Sequence, residues 1–205
     1  MNKILLILVA TMFSSSAFAG PAWTYGQVGY AKADGNTDDE FNQVQLAGSI
    51  GIADLFHASA YWAKGDDETE AADAKFKGFE IAGGIHPELS DSTDLELEVF
   101  YGKRDWDNYD SGKYKGLGFG FRSMLADKFE LGIKARWYDM EEEYETTCNN
   151  FCSGSSDEIG LSISGRYSFT PAISLGVTLF NEDPQYGDSD NALRIDGRWS
   201  FGDIL

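Results

Sequence analysis

The chain has two cysteines, two histidines and four prolines in 205 residues, and only 16 basic side chains against 34 acidic ones. Each shortage excludes something. The deficit of Lys and Arg argues against nucleic acid as a partner, because binding a phosphate backbone needs the opposite sign. With two His, a Ser/His or Asp/His catalytic site has few bases to draw on. Two Cys without further Cys or His nearby leave a thiolate metal site short of ligands. Beyond residue 19 no apolar run approaches the roughly 20 residues that a spanning helix needs, so any membrane role must use strands. There is also no linker, no low-complexity tract and no repeat of solenoid length.

The chain does have a leader. MNKILLILVATMFSSSAFA carries Lys3, an apolar stretch from Ile4 to Phe13 and Ala17-Phe18-Ala19 as a small-x-small cleavage site. This is the layout of a secretory signal over residues 1 to 19, with the mature chain expected to begin at Gly20. No Cys follows the cleavage site, which argues against a lipoprotein. Residues 20 to 205 are expected to form one domain. Removing Lys3 takes the formal charge from −18 to −19.

Twenty-three Gly and 29 aromatic residues with so little Pro suit an all-β fold. Ten segments alternate in hydropathy with a period of two, which sends successive side chains to opposite faces of a sheet. They cover approximately 22 to 33, 42 to 53, 55 to 64, 76 to 86, 94 to 104, 114 to 125, 129 to 139, 158 to 169, 172 to 181 and 191 to 201. In FELGIKARWYD, for example, Phe129, Leu131, Ile133, Ala135 and Trp137 share one face, opposite Glu130, Lys134 and Arg136. Only the first segment is ambiguous, because Trp23 and Tyr25 compete with Val28 and Tyr30 for the apolar side. The connections alternate between brief turns and longer stretches rich in Asp, Glu, Asn and Ser, so short and long links fall at opposite ends of the sheet.

Alternation does not say which face points inward, and a soluble ligand-binding barrel would put the apolar face inside. Three features favour the inverse. Phe56, Trp62, Phe129, Trp137, Trp199 and Phe201 lie toward strand ends on the apolar face, as in girdles at two lipid interfaces. The polar face carries Gly116, Gly118 and Gly120 and paired opposite charges, which suits a crowded interior. Short turns at one end and long loops at the other are the pattern of an outer-membrane barrel. With its signal sequence, alternating strands, acidic loops and final Trp199-Ser200-Phe201, the chain resembles the small outer-membrane β-barrels of Gram-negative bacteria, the OmpA/OmpX-like group in the broad sense. It has ten segments where the best-known small members have eight strands, and Gly202 to Leu205 follow the aromatic that such barrels usually place last. The resemblance implies a closed antiparallel transmembrane barrel of ten strands, with eight as the alternative. It also implies short periplasmic turns, long extracellular loops, a place in the outer membrane, and lipid, lipopolysaccharide and the outer-membrane assembly machinery as partners.

On this phase the inward cations are Arg104, Arg122, Lys134, Arg136, Arg166, Arg194 and Arg198, and the inward anions Glu80, Glu96, Glu98, Glu130, Glu158 and Asp196. Near-balance predicts a salt-bridged interior that is mostly plugged, since eight strands are just filled by side chains and sixteen leave a channel. The expected function is therefore non-enzymatic and structural or surface-directed, with a narrow porin-like path and a soluble periplasmic ligand-binding barrel as alternatives. No cofactor is expected. Cys148 and Cys152, in TTCNNFCSGSS, are expected to form a local disulfide on an oxidising route. The long links hold 22 Asp and Glu against Lys75 and Lys113, predicting diffuse divalent-cation binding. Asp34, Asn36 and Asp38 start like a calcium loop, but Asp39 replaces its Gly. Finally Lys32, Lys64, Lys77, Lys103 and Lys115 point outward at the loop ends, where an outward Lys costs about 0 to 1 kcal/mol against roughly 2 to 4 at the bilayer midplane. Two readings stand: snorkelling, or binding of lipopolysaccharide phosphates.

Overall fold

The computed structural model of the protein describes residues 21–34, 40–68, 73–106, 110–144, 152–181 and 191–201. Ten long strands dominate them: β1 (Tyr25–Asp34), β2 (Glu40–Ile52), β3 (Phe56–Glu68), β4 (Asp73–Ile85), β6 (Thr93–Trp106), β7 (Asp110–Ala126), β8 (Phe129–Tyr144), β9 (Cys152–Ser168), β10 (Ile173–Asn181) and β11 (Asn191–Ser200). A short β5 (Glu88–Ser90) pairs beside the start of β6. Each long strand is antiparallel to its neighbours along the chain, β4 pairs with β6, and β1 pairs with β11 from Tyr25 opposite Ser200 to Asp34 opposite Asn191. Every long strand thus has two partners and the sheet closes on itself, the arrangement that satisfies all backbone groups without an edge.

The faces follow the alternation. Val99, Leu117, Ile133, Leu161 and Val177 are exposed on the outside, while Gln43, Gln45, Glu98, Arg122 and Asp196 are buried within. Apolar side out and charges in is the reverse of a soluble ligand-binding barrel, and that reading is set aside. In β1, Val28 and Tyr30 take the outer face and Ala31 and Ala33 the inner one, while Trp23, just before the strand, is buried in the lumen.

The strands run further toward the loop end than the hydropathy pattern predicts. β3 continues to Glu68, β8 to Tyr144, β7 begins at Asp110 and β9 at Cys152, all within stretches read from the sequence as loop. Once a strand rises above lipid both of its faces can be polar, so alternation fades while the ladder continues. Glu141, for instance, still stands opposite Lys113 on one side and Ser155 on the other. At the other end the links are tight. Ala53–Leu55 forms one 3-10 turn, and the Thr170 hydroxyl accepts from the amides of Ala172 and Ile173 at 3.3 and 3.0 Å. The link read as a plain turn after His86 contains β5.

Candidate functional site: the charged lumen and the lysine rim

β8 supplies the centre of the interior. Its inward positions carry Glu130, Lys134 and Arg136, and on neighbouring β7 the positions opposite Lys134 and Arg136 are Gly120 and Gly118. Bare glycines let these long side chains lie across the wall. A Cβ on Gly118 would come within 2.5 Å of Glu98 Cγ, and one on Gly120 within 2.7 Å of the Ile133 carbonyl oxygen.

Lys134 therefore reaches Glu96 at 2.6 Å and Glu98 at 3.3 Å. Arg136 reaches Glu80 at 2.7 Å and Glu98 at 3.1 Å, with its guanidinium 3.7 Å over the Phe100 ring. A second network runs from β7 and β8 round to β9 and β11. Arg122 donates two bonds of 3.0 Å to Glu130 and one of 3.1 Å to the Ala22 carbonyl. Arg198 stands 3.8 Å from Glu130 and donates to Gln27 at 3.0 Å. Asp196 accepts a short bond from Arg166 and lies 3.2 Å from Arg194, which also donates to Thr178 at 3.2 Å. Several of these contacts are chords: Arg136 to Glu80, and Arg198 to Glu130, join strands three places apart round the ring. Forked guanidinium donors match carboxylates in pairs, which suits Arg to this interior better than Lys.

Arg104 and Glu158 share the inward phase, with Arg104 buried. Asp94 is a further inward anion that was not expected. It is buried and accepts from Trp23 Nε1 at 2.7 Å. Seven cations and seven anions thus face the lumen among the described side chains.

Apolar rings close the lumen on both sides of the charges. At the turn end Trp23 stacks between His57 and His86, centroids 4.6 and 4.2 Å away, with Arg122 4.4 Å from its own ring. Toward the loop end two buried clusters form, one including Phe41 and Phe76 and the other Phe100, Tyr114, Tyr138 and Met140. Between them lies a cavity of about 200 Å³, bordered by Glu80, Glu96, Glu98, Lys134 and Arg136. The sequence leaves the phase of Trp23 ambiguous and did not single out the rings of the two loop-end clusters. Their phase was the available signal, since Tyr138 continues the inward series of Lys134 and Arg136.

Outside, near the loop end, the lysines form a mixed rim rather than a uniform belt. Lys103 pairs with Asp105 at 2.8 Å, and Lys115 with Asp139 at 3.0 Å and Glu141 at 3.7 Å. Lys64 stands directly opposite Lys77 across the β3–β4 ladder, as Lys103 does Lys113 across β6–β7, with Lys75 and Asp66 as the next outward pair beyond Lys64 and Lys77. Lys32 faces Asn42 on β2. All six arginines point inward and, from β1 to β7, every lysine points outward. Residues 1 to 19, read from the sequence as a secretory signal, lie outside the described residues with Asn36, Asp38 and Cys148, as do the side chains of Asp34 and Cys152.

No protein-family model and no curated protein matches the chain. Solved structures do. An outer-membrane channel from Pseudomonas putida F1 superposes with a TM-score of 0.54 at 10% identity, covering 92% of this chain and 99% of that one. The β domain of the Bordetella autotransporter Brka gives 0.50 at 10% identity, over 88% and 100% of the two chains. The translocator domain of the autotransporter NalP from Neisseria meningitidis also gives 0.50 at 10% identity, over 97% and 94%. At such identity the likeness is one of fold, and with the outward apolar wall it leads to one statement: the chain is a ten-stranded β-barrel of the outer-membrane type.

Proposed function

We propose that the protein is a non-enzymatic outer-membrane barrel with a plugged lumen, acting through its outer surface at the loop end. The observation that carries this reading is the set of chords from Lys134, Arg136 and Arg198 across the interior, bounded by aromatic clusters toward both ends. A cavity of about 200 Å³ is smaller than the ~300–1,000 Å³ of sites that bury a drug-sized ligand. Both described histidines are held in the turn-end stack, away from the loop rim, which supports the absence of catalysis there. In planar bilayers the purified protein should give no resolved conductance steps, while its heat-modifiable migration in detergent reports a folded barrel. A narrow path for small solutes is the second reading, favoured by that cavity and by the neighbour described as an outer-membrane channel. Regular conductance steps from the folded protein would select it.

The surface role centres on Lys64 and Lys77. Like charges directly opposite on a ladder repel, and an anion between them converts the repulsion into two attractions. Phosphates of outer-leaflet lipopolysaccharide supply that anion where the barrel leaves the bilayer. Replacing Lys64 and Lys77 together with Gln should reduce lipopolysaccharide retained on the purified barrel. The same change at Lys103 and Lys115, which have carboxylate partners of their own, should reduce it less. Equal retention by both variants and the parent would remove this role.

A further inference from the structure

His57 is the odd member of the lumen. Its side chain is buried, yet neither ring nitrogen has a hydrogen-bond partner. A buried donor or acceptor left unsatisfied is unfavourable and calls for an explanation. His86, its neighbour in the Trp23 stack, is engaged, with Nε2 3.0 Å from the Phe56 carbonyl oxygen.

What His57 faces is two carboxylates. Its Nε2 lies 3.9 Å from Glu96 Oε1, too far for a hydrogen bond, and one ligating atom from each of His57, Glu96 and Glu98 falls within 4.8 Å of the others. Atoms bound to one ion at about 2.0–2.2 Å stand at most ~4.4 Å apart, so small rotations of the two Glu side chains would bring all three to one centre. Lys134 already bridges Glu96 and Glu98, and the cavity it borders gives its flexible stem somewhere to swing.

We propose that His57, Glu96 and Glu98 form an internal site for a divalent transition-metal ion of the zinc class, which displaces the Lys134 ammonium as the counter-charge of the two glutamates. One imidazole with two carboxylates suits zinc and its neighbours, whereas calcium and magnesium favour sets made of oxygen alone. The site lies inside the wall and is distinct from the acidic loops.

The test uses the full mature barrel, folded in detergent and stripped with a chelator, titrated with zinc chloride in excess magnesium so that acidic groups at the rim are already screened. Calorimetry should show one equivalent bound, and fluorescence should change because Trp23 stacks on His57. His57→Asn should weaken binding by about 100-fold or more, at least what loss of an outer-shell partner can cost. Lys134→Gln should tighten binding by roughly tenfold, a difference of about 1.4 kcal/mol, which a merely structural role for Lys134 would not produce. His86→Asn should leave it unchanged. No saturable uptake, uptake that survives His57→Asn, or weaker uptake in Lys134→Gln would each overturn the site. If His57→Asn does not show the migration of a folded barrel, the direction of the Lys134→Gln change decides alone.

Discussion

Asp196→Ala should lower the unfolding free energy of the detergent-folded barrel by about 3–5 kcal/mol, the usual penalty for removing one partner of a buried ion pair. Asp196 is 1% exposed and is the carboxylate shared by Arg166 and Arg194. Its loss leaves two guanidinium groups facing each other with Gln27, Ser174 and Thr178 as their remaining neutral partners. Adding Arg194→Met should recover part of the loss, so the double variant should be more stable than the sum of the single changes predicts. Urea titrations of the three variants measure this. A loss below about 1 kcal/mol for Asp196→Ala would place the pair with exposed surface bridges and remove it from the interior network.

The second large effect separates two tryptophans. Trp23→Ala should destabilise the barrel by about 3–5 kcal/mol, as for other buried Trp truncations. It removes the ring between His57 and His86 and leaves the buried Asp94 carboxylate without its indole donor. Trp137 is 41% exposed on the outer wall, where truncation opens no cavity in the interior, so Trp137→Ala should cost distinctly less. If the two variants unfold at the same urea concentration, Trp23 does not act as the closure of the turn end.

These tests rest on features that differ in how far the sequence discloses them. The wall was legible because a sheet with one apolar face keeps a strict period of two: Leu117, Phe119 and Phe121 alternate with Gly116, Gly118 and Gly120. Where lipid ends the contrast ends, which is why Met140 to Tyr144 and Cys152 to Asp157 read as loop although they are laddered strand. The inward charges could be placed by phase, but not paired. That Arg136 takes Glu80 and Glu98 while Lys134 takes Glu96 and Glu98 depends on register and on the bare glycines between. Trp23 was ambiguous because its stretch lacks charge on either side, and its partners His57, His86 and Asp94 come from three later parts of the chain. The mixed character of the lysine rim was hidden for a similar reason, since Asp139 meets Lys115 only through the β7–β8 register.

The seam between β1 and β11 sets the order of events in making this molecule. Tyr25 meets Ser200, so the ring joins segments from the two extremes of the chain, and no earlier stretch can close on itself. Until β11 arrives, the nascent sheet has two raw edges, each a row of unpaired amides and carbonyls that lipid cannot solvate and that would zip onto any other exposed strand. Completion is therefore a single late event with a long search in sequence space, the kind that folds slowly unaided.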